Sequence, residues 1–182
     1  MLPNFIMIGA MKSGTSSLHH YLDEHPEISM SYPKELDFFI EERRWSKGFD
    51  WYASHFSKAA TIRGESSVGY TQRHKYAGVA ERIHAMNPEL KLLYLLRDPV
   101  ERLESHFTQL SLMGLEPRDF PAVLDALPGS DYVLTSSYHY QLSAFLAFFP
   151  LEQIQILTLE ELVRDKVGTI QKVFRFLGVE DS

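Results

Sequence analysis

Short apolar runs recur along the chain, and each is followed by a turn and a segment with helical periodicity. The clearest run spans residues 90–96, and a second one spans 5–8. Unbroken apolar runs of this length are typical of parallel strands that are buried on both faces. Weaker strands are predicted at 28–31, 61–65 and 153–159.

Helices are predicted between these strands. Leu18 and Leu22 lie four residues apart and define one apolar face, and Asp98 before Pro99 is a favourable helix start. The segment 115–135 contains three prolines and is predicted to be a loop with one short helix. The alternation of strand and helix predicts an α/β fold with a mainly parallel sheet between two helical layers. The predicted helices span 16–24, 51–56, 76–86, 99–113, 138–149 and 167–177.

Composition is that of an ordinary globular domain, with 45% hydrophobic and 23% charged residues in 182. We expect a single domain over 1–182. The net charge of −6 argues against a general nucleic-acid binder, and the lack of cysteine excludes disulfides and thiolate chemistry. No apolar run approaches the roughly 20 residues of a membrane span, and the N-terminus lacks the basic start of a signal peptide. A soluble, cytoplasmic protein is expected.

The turn after the first strand has the composition of a phosphate-binding loop. Gly9 and Gly14 allow a tight turn and a close backbone approach to a ligand, and the following helix directs its free N–H groups to the same place. The alternative is an ordinary glycine-containing turn with solvent-exposed serines. The side chains that supply donors in this turn are Lys12, Ser13, Thr15 and Ser16.

This turn is close to a Walker A loop but does not match it. The pattern G-x-x-x-x-G-K-S/T requires lysine after the second glycine, where this chain has Thr15, and its lysine is Lys12. The strand 90–96 also runs into Arg97 rather than into an acidic residue that could hold magnesium. A P-loop kinase or other nucleotide phosphotransferase is therefore the weaker alternative.

A second candidate anion site follows the strand 90–96. Arg97 lies at the edge where open α/β sheets bind ligands, and its guanidinium group can hold a phosphate with two hydrogen bonds. Ser105 lies about two turns into the next helix and offers a hydroxyl group. The alternative is that Arg97 pairs with Asp98 or Glu101 and that Ser105 is incidental.

Together the two sites resemble the sulfotransferases that use 3′-phosphoadenosine-5′-phosphosulfate (PAPS). M-K-S-G-T-S-S-L at 11–18 is similar to the family's 5′-phosphosulfate loop, and L-L-R-D-P-V-E-R-L-E-S-H-F at 95–107 is similar to its 3′-phosphate motif. Further segments resemble the heparan-sulfate and bacterial branch of the family in chain order. They are 33–39, which is similar to the family's K-E-x-x-F-F, 47–52, which is similar to G-x-x-W-Y, 64–70, which is similar to E-K-T-P-x-Y, and the segments 138–150 and 174–179.

The resemblance implies transfer of a sulfuryl group from PAPS to a hydroxyl or amine, with a P-loop-like sulfotransferase fold and no metal. Lys12 would contact the sulfonate and the bridging oxygen, and Arg97 and Ser105 would hold the 3′-phosphate. The resemblance assigns the binding of the 5′-phosphosulfate to the loop residues Lys12, Ser13, Gly14, Thr15, Ser16 and Ser17.

Glu35 matches the carboxylate proposed as the general base in this branch, and a carboxylate near the acceptor is suited to that task. The alternative is that Glu35 pairs with Lys34 or Lys12, or is a surface charge. Asp37, which replaces the branch's usual histidine, and His106 are rival bases. The other histidines lack metal-ligand spacing.

Two departures from the family pattern concern the acceptor and the end of the chain. Ser66 replaces the lysine of E-K-T-P, and the chain ends soon after F-L-G-V, where relatives usually continue with a basic loop. We therefore expect the usual C-terminal segment to be missing, and a truncated, non-catalytic nucleotide-binding module stays an alternative. The acceptor is expected to be a small molecule, a lipid or a carbohydrate, since an acidic chain does not favour a polyanion.

Overall fold

The computed structural model describes residues 1–57 and 59–180, so the last two residues of the predicted domain lie outside the described ranges. A parallel sheet of five strands runs through the molecule in the order β2-β3-β1-β4-β5, and every neighbouring pair is parallel. This arrangement confirms the predicted α/β fold. The strands are β1 (Phe5–Gly9), β2 (Ile28–Met30), β3 (Ile62–Ser66), β4 (Lys91–Leu96) and β5 (Ile154–Thr158).

Helices connect the strands and cover both faces of the sheet. Short 3₁₀ helices at Trp45–Lys47, Val68–Thr71 and Leu151–Gln153 complete the connections. The α-helices in the described ranges are α1 (Thr15–Asp23), α2 (Gly48–Ala53), α3 (Val79–Met86), α4 (Pro99–Leu112), α5 (Phe120–Asp125), α6 (Asp131–Ser136), α7 (Tyr138–Leu146), α8 (Leu159–Arg164) and α9 (Lys166–Leu177).

The sheet has an apolar layer on each face because the side chains of β1 alternate between them. Ile6 and Ile8 pack into one layer with Leu92 and Tyr94 of β4. Phe5 and Met7 pack into the opposite layer with α1 and α9. The aromatic residues Phe38, Phe39 and Tyr52 are fully buried in the first layer, as expected for core positions.

Local capping explains where the structure departs from the predicted elements. The segment 115–135 holds two helices instead of one, because Asp119 caps α5 and Ser130 caps α6. The predicted strand 153–159 ends at Thr158, which forms a capping box with Glu161 and so begins the unpredicted α8. Helix α2 begins before the predicted residue 51, at Gly48.

The sheet order places the candidate site. β1 lies in the middle of the sheet, with β3 on one side and β4 on the other. The earlier strands β2 and β3 lie on one side of β1, and the later strands β4 and β5 lie on the other, so the direction of the strand order reverses at β1. In open parallel sheets the crevice at such a reversal, at the carboxyl ends of the strands, is where ligands bind. The loops after β1, β3 and β4 therefore meet above one edge of the sheet, as the two predicted anion sites require.

Candidate active site

The loop after β1 turns sharply into α1. Its first amide, Ala10 N, donates to the carbonyl of Leu95 in β4 at 2.7 Å. Lys12 (φ 69°) and Gly14 (φ 85°) then adopt left-handed conformations that reverse the chain. Gly14 is the N-cap of α1, and no side chain caps the helix start. The free N–H groups of the first turn are therefore available to an anion.

A cleft of about 360 Å³ lies in front of this loop, and we name it the Lys12 cleft. It brings together Lys12, Ser105 of α4 and Glu35, which come from three separate parts of the chain. Within the described ranges, no hydrogen-bond or ion-pair partner is found for the Lys12 ammonium group. The residues that line the Lys12 cleft are Met11, Lys12, Gly14, Thr15, Ser16, Glu35, Val68, Ser105 and Gln109.

Two of the predicted loop residues lie outside this lining. The Ser13 side chain is fully buried, and its hydroxyl has no hydrogen-bond partner among the described residues. Ser17 is exposed on α1. Of the predicted 5′-phosphosulfate residues, the structure thus places Lys12, Gly14, Thr15 and Ser16 on the cleft.

Arg97 forms an ion pair with Glu101, which is one of the alternatives that the sequence left open for it. Its Nη2 lies 2.9 Å from Oε2 of Glu101, and its Nε lies 3.2 Å from the same oxygen. The Tyr138 hydroxyl donates to the Arg97 carbonyl at 2.7 Å and fixes the backbone at this point. Asp98 caps α4, as predicted, by accepting from the amides of Val100 and Glu101. Ser105 reaches the cleft, whereas the Arg97 side chain is not part of its lining.

Glu35 lies at the junction of the Lys12 cleft with a second cavity. Its backbone is left-handed (φ 62°), and its amide donates to the carbonyl of Ser66 at 2.9 Å. The Glu35 carboxylate pairs with Lys34 at 2.6 Å, which is one of the alternatives predicted for it. Glu35 nevertheless lines both spaces, so this residue lies between the Lys12 cleft and the second cavity.

The second cavity, which we name the His106 cavity, has a volume of about 350 Å³. His106 is buried, and burial together with the nearby Arg102 lowers its pKa to about 4, so the imidazole is neutral at pH 7. The residues that line this cavity are Met11, Glu35, Arg43, Val68, Gly69, Gln72, Lys75, Tyr76, His106, Leu110 and Asp131.

Asp37, the other rival base, is buried and forms an ion pair with Arg43. Burial raises its pKa even though the Arg43 guanidinium acts in the opposite direction. Asp37 lines neither the Lys12 cleft nor the His106 cavity. Of the three candidate bases, Glu35 alone lines both spaces among the described residues.

A buried hydrogen-bond cluster around Glu65 supports the Glu35 segment, and no role was predicted for Glu65 from the sequence. Glu65 is fully buried and accepts hydrogen bonds from the hydroxyls of Tyr52 (2.5 Å), Ser67 (2.5 Å) and Tyr70 (2.7 Å). Burial raises the pKa of Glu65 to about 7, although these hydroxyls act to lower it. The Ser67 oxygen also accepts from the amide of Asp37 at 2.9 Å. The end of β3 therefore anchors the backbone on either side of Leu36.

Two further properties concern metals and membranes. Within the described part of the chain, no three His, Cys, Asp or Glu side chains are grouped so that they could hold a metal ion. In the same ranges, every helix is too short or too polar to span a lipid bilayer.

The site consists of a cleft in front of an uncapped helix start beside a second cavity, and comparison with known proteins gives the family. The sulfotransferase domain model matches residues 2–182, so the chain belongs to the sulfotransferase domain family. Heparan sulfate glucosamine 3-O-sulfotransferase 5 of Mus musculus is 31% identical over 98% of this chain and 54% of its own length. The chain thus spans about half the length of such curated relatives. Membership of this family favours sulfuryl transfer over the alternative of a P-loop kinase.

Solved structures agree with the family and the fold. The crystal structure of a sulfotransferase from Alicyclobacillus acidocaldarius superposes with a TM-score of 0.87 at 30% identity, covering 100% of this chain and 83% of that one. Mouse SULT7A1, solved in complex with PAP, has a TM-score of 0.66 at 16% identity and covers 98% of this chain and 59% of its own. The second likeness concerns the fold alone.

Proposed function

We propose that this chain transfers the sulfuryl group of PAPS to a hydroxyl or amine of an acceptor bound in the His106 cavity. The observation that carries the proposal is the lining of the Lys12 cleft. It combines an unpaired lysine, an uncapped helix N-terminus and a carboxylate at the junction with a second cavity. These are the groups needed to bind a sulfated nucleotide, to stabilise its leaving phosphate and to accept a proton.

The loop after β1 suits the phosphosulfate end of the donor. The amides of Gly14, Thr15 and Ser16 lie at the start of α1, where the helix dipole and free N–H groups stabilise an anion. Lys12 supplies a positive charge that is not used elsewhere, at the place where charge develops during transfer. The donor supplies an activated sulfuryl group, and the chain supplies position and charge.

Arg97 and Ser105 are the residues proposed to hold the 3′-phosphate. Ser105 already lines the cleft. Arg97 must exchange Glu101 for the phosphate, and Glu101 is a weak competitor because 59% of its side chain is exposed. A phosphate that accepts two charge-assisted hydrogen bonds from the guanidinium group is the stronger partner.

Glu35 is the proposed general base. Its carboxylate lies between the Lys12 cleft and the His106 cavity, so a hydroxyl in the cavity can approach it while facing the donor. Lys34 pairs with one carboxylate oxygen of Glu35, and the second oxygen is left for the acceptor. We propose a small molecule, a lipid or a carbohydrate as the acceptor and the cytoplasm as the location.

The test has two stages, binding and transfer. The chain is titrated with adenosine 3′,5′-bisphosphate (PAP) and with ADP by calorimetry, without magnesium, and PAP is expected to bind at least tenfold more tightly. Radiolabelled PAPS is then offered with a panel of sugars, alcohols and phenols, and label is expected in an acceptor. Equal affinity for the two nucleotides would refute the donor assignment. PAP binding without transfer to any acceptor would identify a non-catalytic nucleotide-binding module.

A further inference from the structure

The charges of the His106 cavity are balanced within the chain. Its two permanent cations are Arg43 and Lys75. Arg43 pairs with Asp37 and donates a second hydrogen bond to the Tyr76 hydroxyl at 2.7 Å. Lys75 pairs with Asp131 at 2.7 Å. Neither cation is free to meet an incoming anion without first leaving a carboxylate of this chain.

If an anion took Arg43 or Lys75 from its carboxylate partner, that carboxylate would stay beside the cavity without a cation. Only 8% of the Asp37 side chain is exposed, so removing its guanidinium partner would leave a buried negative charge unpaired. Asp131 and Glu35 themselves line the cavity and would face the anion. The Nε2 atom of His74 also lies 2.7 Å from an Asp131 carboxylate oxygen, so Asp131 is held by a second side chain beside the cavity.

The Lys12 cleft shows the opposite arrangement. Its lysine has no partner among the described residues, as a site for a charged donor requires. The same chain thus leaves a cation unpaired beside one space and pairs both cations beside the other. The difference lies within one continuous site, because the two spaces share Met11, Glu35 and Val68.

Apart from the proposed base Glu35 and the paired charges, the groups that remain for an acceptor in the His106 cavity are uncharged. Gln72 offers a side-chain amide, and His106 offers an imidazole that is neutral at pH 7. Met11 and Leu110 add apolar surface. Such a lining recognises hydroxyl groups by hydrogen bonds and covers an apolar face of the acceptor, as small-molecule sites commonly do.

From this arrangement we infer that the His106 cavity takes an uncharged, hydroxyl-bearing acceptor and rejects polyanions, with Asp37 and Asp131 as the specificity-determining residues. The inference rests on the proposed function, since it assigns the acceptor class of the same site. It also separates this chain from relatives whose names state heparan sulfate as their substrate.

A heparin tetrasaccharide is the probe of this inference, titrated into the chain saturated with PAP. The wild-type chain is expected to bind it weakly, and Asp131→Asn, which releases Lys75, is expected to bind it at least fivefold more tightly, with the gain lost at high salt. Adding Lys75→Ala to Asp131→Asn should remove the gain. The matched control is Asp125→Asn, which makes the same change in net charge on exposed α5 and should leave binding unchanged.

Two results would overturn the inference. One is tight, salt-sensitive binding of the tetrasaccharide by the wild-type chain that Lys75→Ala abolishes. The other is a folded Asp131→Asn variant, verified by its melting curve, with no gain in affinity. If Asp131→Asn does not fold, Asp37→Asn, which releases Arg43, is measured in its place with the same criterion. Failure of PAP to bind would refute the proposed function instead, and the comparison of variants is then made on the nucleotide-free chain.

Discussion

The guanidinium group of Arg97 is held by the carboxylate of Glu101, one helical turn further along α4, at 2.9 Å. This pair occupies the side chain that the proposed function assigns to the 3′-phosphate. The two residues lie in one motif, so the chain carries both the proposed phosphate-binding arginine and an internal competitor for it. The competition can be measured, because removing Glu101 should strengthen the binding of PAP and leave the binding of ADP unchanged.

Glu101→Gln is therefore expected to tighten PAP binding by up to about fivefold, since exposed ion pairs contribute roughly 0.2–1 kcal/mol. Arg97→Ala is expected to weaken PAP binding about 10- to 100-fold, because hydrogen bonds to charged groups contribute about 1.5–3 kcal/mol. Calorimetric titration with PAP and ADP measures both effects. An unchanged PAP affinity in Arg97→Ala would remove Arg97 from the 3′-phosphate site.

Lys12→Ala should lower the transfer rate more than nucleotide binding. Its charge is proposed to stabilise the leaving phosphate, and loss of one such group typically costs about 10²–10³ in kcat. PAP lacks the sulfonate, so its affinity should fall by about tenfold or less. Steady-state transfer and PAP titration separate the two effects, with Lys172→Ala on α9 as the control. Equal losses in rate and in PAP affinity would contradict a role for Lys12 in transfer itself.

Glu35→Gln tests the general base. We expect kcat to fall about 10²- to 10⁴-fold with PAP affinity unchanged, because the amide cannot accept the acceptor's proton. Glu42→Gln, an exposed residue nearby, should keep full activity. The rival bases are tested in parallel by Asp37→Asn and His106→Asn. If one of these variants loses activity while Glu35→Gln keeps it, the base role passes to that residue.

The buried Glu65 predicts a pH dependence of stability. Its pKa of about 7 in the folded chain lies above the ordinary value of 4.5, so the folded state retains a proton that the unfolded state releases. The stability that Glu65 contributes is fully present below pH 4.5 and is lost as the pH rises through 7. His106 acts in the opposite direction, because its lowered pKa makes its contribution disappear as the pH falls from 6.5 towards 4.

The comparison of wild type with Glu65→Gln isolates this effect. Between pH 5 and pH 8, the free energy of unfolding of the wild type should fall relative to the variant by on the order of 2 kcal/mol. Urea denaturation at both pH values measures the difference, and the contribution of His106 cancels because both chains contain it. Parallel pH curves for the two chains would show that Glu65 does not titrate in this range.

The main strands and the tight turn after β1 follow from the sequence because their signals are local. An apolar run identifies β4, and Asp98 before Pro99 identifies the start of α4. Helices α5 and α8 depend on single capping side chains, which a reading of proline content and apolar periodicity passes over. Short helices of this kind are therefore the least predictable part of the fold.

For the site, the sequence identifies candidate residues, but it does not predict their hydrogen-bond and ion-pair partners. Whether Arg97 binds a phosphate, Asp98 or Glu101 depends on side-chain positions, and a sequence motif does not specify these positions. The Glu65 cluster is a contact between β3 and residues from other segments, so only the folded chain brings it together. The same holds for the pairing of Lys75 with Asp131 across 56 positions of the sequence.

The left-handed backbone at Lys12, Glu35 and Asp37 has a consequence for how this protein can change. For residues with a β-carbon, each such conformation costs about 1–2 kcal/mol, a cost that glycine escapes. Glycine at any of the three positions would remove this backbone strain. It would also remove the side chain of Lys12 or Glu35, which are proposed to act in transfer, or that of Asp37, which pairs with Arg43. An unbiased search for more heat-resistant variants should thus repeatedly select chains that have lost turnover.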